Sequence, residues 1–373
     1  YLGNGVGGVV ECNCPRVPIV LSPRSLVVGD FDLDGIPDAA VLDQQAGFTM
    51  HLGHGDGAFD SFLRQRVLGT SSFAKSHLAD LDADGSLDFA DCGGNGTVVV
   101  GWGSSGGAID TASFVPGSLG LCRTGFTTGD ANGDGHQDLI SLQHFSSSPS
   151  GQVSVFLGHG SRAFGVPIAL PAGVQPSSIV IANLNGDALP DLAVANRGSN
   201  DVSVLLGALG GFLPERRFLV GSAPSAIRAA DLDLDGRTDL IVANSLANHL
   251  SVLFGSGDGT FASQQTIALP VVGQSLFPNA FSITTHDLNL DGRADIAVTT
   301  STATSVSQPV QVSVFLGQGD RTFENLGSYP VGLGTRSSAT FIAAADFNED
   351  LVPDLAVTTP LHGVGVLLGR GDG

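Results

Sequence analysis

An acidic nonapeptide recurs seven times along this chain, and that recurrence limits the possible folds more than any other feature. Its first copy reads Asp30-Phe-Asp32-Leu-Asp34-Gly35 and closes on Asp38. Copies follow fifty residues apart at Asp80, Asp82, Asp84 and Asp88, then at Asp130, Asn132, Asp134 and Asp138. The series continues through Asn183, Asn185, Asp187 and Asp191, then Asp231, Asp233, Asp235 and Asp239. It ends with Asp287, Asn289, Asp291 and Asp295, and Asp346, Asn348, Asp350 and Asp354. A chain of 373 residues would ordinarily divide into two or three domains, but a fifty-residue period keeps adding units to one body.

Each acidic loop lies between two apolar runs of strand type. Ala226-Ile-Arg-Ala-Ala230 precedes the fifth loop and Asp239-Leu-Ile-Val-Ala243 follows it, so the loop joins adjacent strands of a hairpin. About ten residues later a third run ends in a glycine-rich turn, as in Leu253-Phe-Gly-Ser-Gly-Asp-Gly-Thr-Phe261. A shorter fourth run such as Gln265-Thr-Ile-Ala-Leu269 leads to the next copy. One repeat is therefore one four-stranded blade, and the expected fold is an all-β, seven-bladed β-propeller spanning residues 1–373 as a single domain. Closing the ring removes exposed sheet edges, which an open solenoid of the same repeats would keep. Residues 1–21 are expected to supply a closing strand to the last blade, to end a preceding repeat, or to complete a neighbouring molecule. Tyr1-Leu-Gly-Asn-Gly5 and Leu368-Gly-Arg-Gly-Asp-Gly373 are both copies of the glycine-rich turn.

The loops' aspartates make up 23 of the 36 acidic residues, so the formal charge of −20 is a local feature of the repeats. Oxygen ligands at positions 1, 3, 5 and 9, a main-chain carbonyl at 7 and glycine at 6 form the donor set of a calcium loop. An EF-hand begins in the same way but needs glutamate at position 12 and flanking helices; here position 12 is Val41, Asp91, Ser141 or Val242 and the flanks are strands. Calcium is expected at five to seven structural sites. The fourth loop, with Asn183 first and Ala188 at position 6, and the seventh, with Leu351 there, are expected to be the weakest. The acidity excludes nucleic acid as a partner, since phosphate contacts need clustered Lys and Arg. No apolar run approaches the roughly 20 residues of a membrane helix.

With these loops in hand, the chain resembles the FG-GAP/VCBS repeat family, the calcium-loop propellers that also form the head of integrin α-subunits. The resemblance implies a secreted or cell-surface protein, calcium loops on one face of the ring and a ligand on the opposite face. Relatives of that kind include adhesion heads, sugar-binding lectins and some polysaccharide lyases. On the implied ligand face the sequence places Arg24, Lys75 and Arg123 near the starts of three successive first strands, with His77 close by, an arc suited to an anionic group. The four cysteines, Cys12, Cys14, Cys92 and Cys122, allow three pairings. Cys92 and Cys122 fall on the same face, and a bridge between them would brace the rim.

No Gly-x-Ser-x-Gly elbow, His-Glu-x-x-His helix or phosphate loop occurs, and His54 and His159 occupy slots of the glycine-rich turn. The expected function is a non-enzymatic binding or adhesion module for an extracellular glycan or protein. Two alternatives stand beside it: a structural subunit polymerised through exchanged end strands, and a polysaccharide lyase on a propeller scaffold.

Overall fold

The computed structural model describes residues 2–3, 9–10, 23–43, 47–56, 59, 63–66, 76–92, 96–104, 109–118, 122, 125–144, 150–270, 279–301, 308–334, 341–359 and 363–371. Among them every regular element is a strand. With the sheets numbered 1 to 7 by the acidic loop each carries, sheet 5 shows how a repeat folds. Pro224–Ala230 pairs antiparallel with Asp239–Asn244, which pairs with His249–Leu253, which pairs with Gln265–Ala268. The second strand, with Leu240, Ile241, Val242 and Ala243, is buried throughout, because neighbouring sheets cover both its faces. That two-sided burial explains why it reads as a continuous apolar run rather than an alternating one. The outermost strand is mostly exposed.

Six sheets have this four-stranded order, and a seventh has three strands, Ile342–Ala345, Asp354–Thr359 and Gly363–Leu367. The described residues thus contain six four-stranded blades and not the seven expected. The strand that residues 1–21 were expected to lend to the last sheet is not found among them. Leu2–Gly3 and Val9–Val10 instead pair with each other, and residues 11–22 lie outside the described set. The first strands nevertheless follow one another around a closed circuit. Pro23–Gly29 packs on Ser76–Ala79, and the contacts pass sheet by sheet to Ile342–Ala345, which packs back on Pro23–Gly29.

Each pair of neighbouring sheets encloses an apolar cluster. Ile227, Leu240 and Val242 of sheet 5 meet Ala193, Ala195 and Val204 of sheet 4. The circuit closes where Leu26 and Ala39 of sheet 1 meet Phe347 and Ala356 of sheet 7. Because the core is divided among these interfaces, all acidic loops are carried to one rim and the strand starts to the other. On the latter rim Cys92 and Cys122 form the expected disulfide, with Cα atoms 5.4 Å apart. It ties the second strand of sheet 2 to the segment entering sheet 3. Cys12 and Cys14 lie outside the described residues. No described helix is long and apolar enough to cross a membrane.

Candidate metal centre

In the loop from Asp231 to Asp239 the chain folds back on its own carboxylates. Asp231 accepts the N–H groups of Asp235 at 3.2 Å and Gly236 at 2.9 Å, and Asp233 accepts that of Asp235 at 3.3 Å. These turns need left-handed backbone at two points, Leu234 with φ 59° and Gly236 with φ 79°. At position 9, Asp239 is fully buried and uses both oxygens. Oδ2 accepts Leu232 N–H at 2.9 Å and Oδ1 accepts Gly255 N–H at 2.7 Å. Gly255 opens the glycine-rich turn, and a Cβ there would lie 2.3 Å from the carbonyl oxygen of Thr238. Asp239 therefore fastens the start of the loop to the end of the third strand. The same two bonds recur in every copy, from Asp38 with Phe31 and Gly53 to Asp354 with Phe347 and Gly369.

Three copies bring side-chain oxygens of positions 1, 3 and 9 within 4.8 Å of one another: Asp30, Asp32 and Asp38; Asp80, Asp82 and Asp88; Asp231, Asp233 and Asp239. These are the three loops with aspartate at all four positions. Oxygens that far apart can share one calcium ion at its usual ~2.3–2.6 Å. Two further observations fit a cation. Oδ1 of Asp82 is buried with no hydrogen-bond donor, and burial pushes the Asp88, Asp138, Asp239 and Asp354 carboxyls up to about 6. A nearby divalent charge would offset that desolvation. Position 5 takes a different part from the one the spacing implies. Asp34, Asp84 and Asp235 accept the N–H of position 7 at 2.8, 2.8 and 3.0 Å and stay outside the three-oxygen clusters.

The two loops singled out as irregular behave differently. In the fourth, Asn183 has a single acceptor oxygen, which takes Gly186 N–H at 2.7 Å, while its amide donates to the Asp187 carbonyl. Ala188 is not left-handed, and the position-6 contact of the other loops is missing. The seventh loop keeps that contact, Leu351 N–H to Asp346 Oδ2 at 2.8 Å, by forcing Leu351 to φ 67°. Leu351 is 83% exposed, so it gains no burial in return. Leu351→Gly is expected to stabilise the protein by about 1 kcal/mol, the relief of left-handed strain outweighing the added freedom of the unfolded chain. Chemical denaturation measures this, and a loss of stability would show that the leucine side chain is needed.

A family model described as an FG-GAP-like repeat matches residues 30–90, 130–194, 183–242, 231–298 and 287–357, and every match begins on the first residue of an acidic loop. Together these stretches cover well over half of the chain. The chain belongs to the FG-GAP-like repeat family. No curated protein sequence matches it. Among solved structures, this FG-GAP-like propeller is similar to an Agrocybe aegerita lectin studied for its specific recognition of non-reducing terminal N-acetylglucosamine. That likeness has a TM-score of 0.59 at 19% identity, over 95% of this chain and 86% of the lectin. It is also similar to BBS1N, crystallised in complex with ARL6DN, with a TM-score of 0.60 at 12% identity over 95% of each chain. At such identities the likeness is one of fold.

The FG-GAP-like loops also receive arginines from the next sheet. Arg162 reaches Asp82 at 2.7 Å and Asp84 at 3.7 Å while lying 5.3 Å over the Trp102 ring. Arg321 repeats the arrangement on Asp233 and Asp235, at 2.6 and 3.6 Å, over Phe254. Sequence reasoning missed both. The available signal was their common slot, the fifth residue of the turns beginning at Gly158 and Gly317, where the fifth-repeat turn has Gly259.

Of the anticipated ligand-face arc, Lys75 and Arg123 lie outside the described residues, and Arg24 is placed only as part of the strand Pro23–Gly29. His77 lines a central cavity of about 490 Å³ to which all seven first strands contribute, and its ring meets Phe126 edge-on at 6.0 Å. Arg228 lines the same cavity.

Proposed function

We propose that this FG-GAP-like propeller is an extracellular, calcium-stabilised binding module for a glycan or protein ligand, acting without turnover. The observation that carries it is the convergence of carboxylate oxygens within 4.8 Å in each all-aspartate loop, each including a position-9 carboxyl whose charged form burial disfavours. Asp30, Asp32 and Asp38, with their counterparts in the other repeats, would hold the ions. A bound ion supplies positive charge that locks each hairpin, leaving the opposite rim and the channel to present a ligand. On this reading the three-stranded sheet is the seventh blade, short of its outer strand.

The Cys92–Cys122 bridge favours an oxidising compartment, where calcium is also abundant enough to fill sites of modest affinity. Similar propellers that engage a glycan and a protein partner support binding as the use of the fold, though fold alone does not choose the ligand. The test is a glycan array probed with the calcium-loaded chain and with the chelated chain, each retained glycan then analysed by mass spectrometry. Calcium-dependent retention of intact glycan is expected. Cleaved oligosaccharide would replace the binding reading with an enzymatic one, and retention indifferent to calcium would break the link between loops and ligand.

A further inference from the structure

The residue three places ahead of each acidic loop occupies one level of the ring of first strands. In five repeats it is small or apolar, Val27 and Val180 among them, but in sheets 2 and 5 it is His77 and Arg228. These two cation-forming side chains stand three sheets apart around the circuit and line the same central cavity.

Among the described residues Arg228 has no carboxylate partner, in contrast to five arginines of the loops and outer strands. Arg162, Arg217, Arg237, Arg293 and Arg321 each pair with a carboxylate. The one hydrogen bond of Arg228 among the described residues runs from Nη1 to the carbonyl of its own neighbour Ile227, at 2.9 Å. A guanidinium carries five N–H donors and stays charged at all ordinary pH, so most of its bonding capacity is left facing the channel. Desolvation lowers its pKa, and no carboxylate of the described residues acts in the other direction. A partly buried charge with no carboxylate partner among the described residues is costly, and an apolar residue at this level would avoid the cost, as Val27 and Val180 do.

We propose that Arg228 makes the central channel a receptor site for a small carboxylate-bearing molecule, such as an acidic sugar, with His77 and Thr284 on the same wall system. The planar fork of a guanidinium matches the two oxygens of a carboxylate. The cavity volume of about 490 Å³ falls within the ~300–1,000 Å³ range of small-molecule sites, and Ile179, Phe281 and Phe341 supply apolar wall between its polar groups. Asp30 borders the cavity on the loop rim, so an anion enters from the opposite rim. The inference deepens the binding-module reading and rests on it for the existence of a ligand.

The experiment is calorimetric titration of the calcium-loaded chain with galacturonate, acetate and, as the neutral counterpart, galactose, using wild type, Arg228→Met and Arg228→Lys. Wild type is expected to prefer galacturonate over galactose. Arg228→Met should weaken galacturonate by roughly 10- to 100-fold, the value of a lost charge-assisted pair, with Arg228→Lys between the two. The ligand-free Tm of Arg228→Met should match or exceed that of wild type, which shows that the variant folds. Galacturonate affinity unchanged in Arg228→Met, or no carboxylate binding by wild type, overturns the proposal. A fall in the ligand-free Tm of Arg228→Met also overturns it, by indicating that a group of the chain itself already pairs with the arginine. Calcium counted in the same samples separates the two readings. Bound calcium without Arg228-dependent binding sinks this inference alone, while Arg228-dependent binding without calcium sinks the calcium reading alone.

Discussion

Asp239→Ala is expected to cost about 2–4 kcal/mol of stability in calcium, as would the same change at the equivalent aspartate of another repeat. The side chain accepts Leu232 N–H and Gly255 N–H from a fully buried position, and alanine leaves both donors without a partner. Each abandoned donor costs roughly 1–3 kcal/mol. Part of this is returned by removing a carboxylate whose ionisation burial already opposes, since its pKa is pushed up to about 6. That return is largest without metal, so the variant should lose more in calcium than in chelator. Asp239→Asn keeps one acceptor oxygen and should fall near half the effect. Asp258→Ala, at an exposed turn where Asp258 accepts Thr260 N–H at 2.9 Å, is the control and should cost well under half as much. Urea denaturation of the three variants with and without calcium is the measurement. Equal losses for Asp239→Ala and Asp258→Ala would show that the position-9 aspartate is not the fastening of the repeat.

The loops were legible in the sequence because everything that makes them is local: nine residues, alternate carboxylates and a glycine where φ must be positive. The strands were legible because middle strands buried on both faces must be apolar at every position, as Leu240 to Ala243 are. Contacts between repeats were not. Arg162 lies 80 residues from Asp82, and Arg321 lies 88 from Asp233, and only the packing of consecutive sheets brings each pair together. Arg228 was hidden inside Ala226-Ile-Arg-Ala-Ala230, where it reads as one residue of a strand rather than the wall of a channel. Loop 7 was judged by composition. The missing glycine marked it as one of the weakest calcium sites, and the structure adds that the hydrogen bond from Leu351 to Asp346 holds the same turn. Loop 4 departs from the pattern as its composition implies, because an asparagine at position 1 gives up the second acceptor oxygen. The size of the last sheet was beyond local reading, since the partner of an outer strand is chosen by closure and not by its neighbours in sequence.

Withdrawing calcium should do more than any substitution. Each site held at about a hundred times its dissociation constant contributes roughly 2.7 kcal/mol to the folded state, and several such sites together rival the ~5–15 kcal/mol that typically separates folded from unfolded domains. Electrostatics acts in the same direction. Seven divalent ions would carry about +14 against the formal charge of −20, and without them the carboxylates of one rim repel one another. Chelation should therefore lower Tm steeply or unfold the ring outright, and added sodium chloride should recover only part of the loss, because buried carboxylates are poorly screened.

The most direct measurement is native mass spectrometry of the protein exchanged into calcium, paired with thermal unfolding in calcium and in chelator. Five to seven bound calcium ions together with a large fall in Tm on chelation is the predicted result. A metal-free mass in calcium, with the same unfolding curve in chelator, would contradict the assignment of the acidic loops as calcium sites.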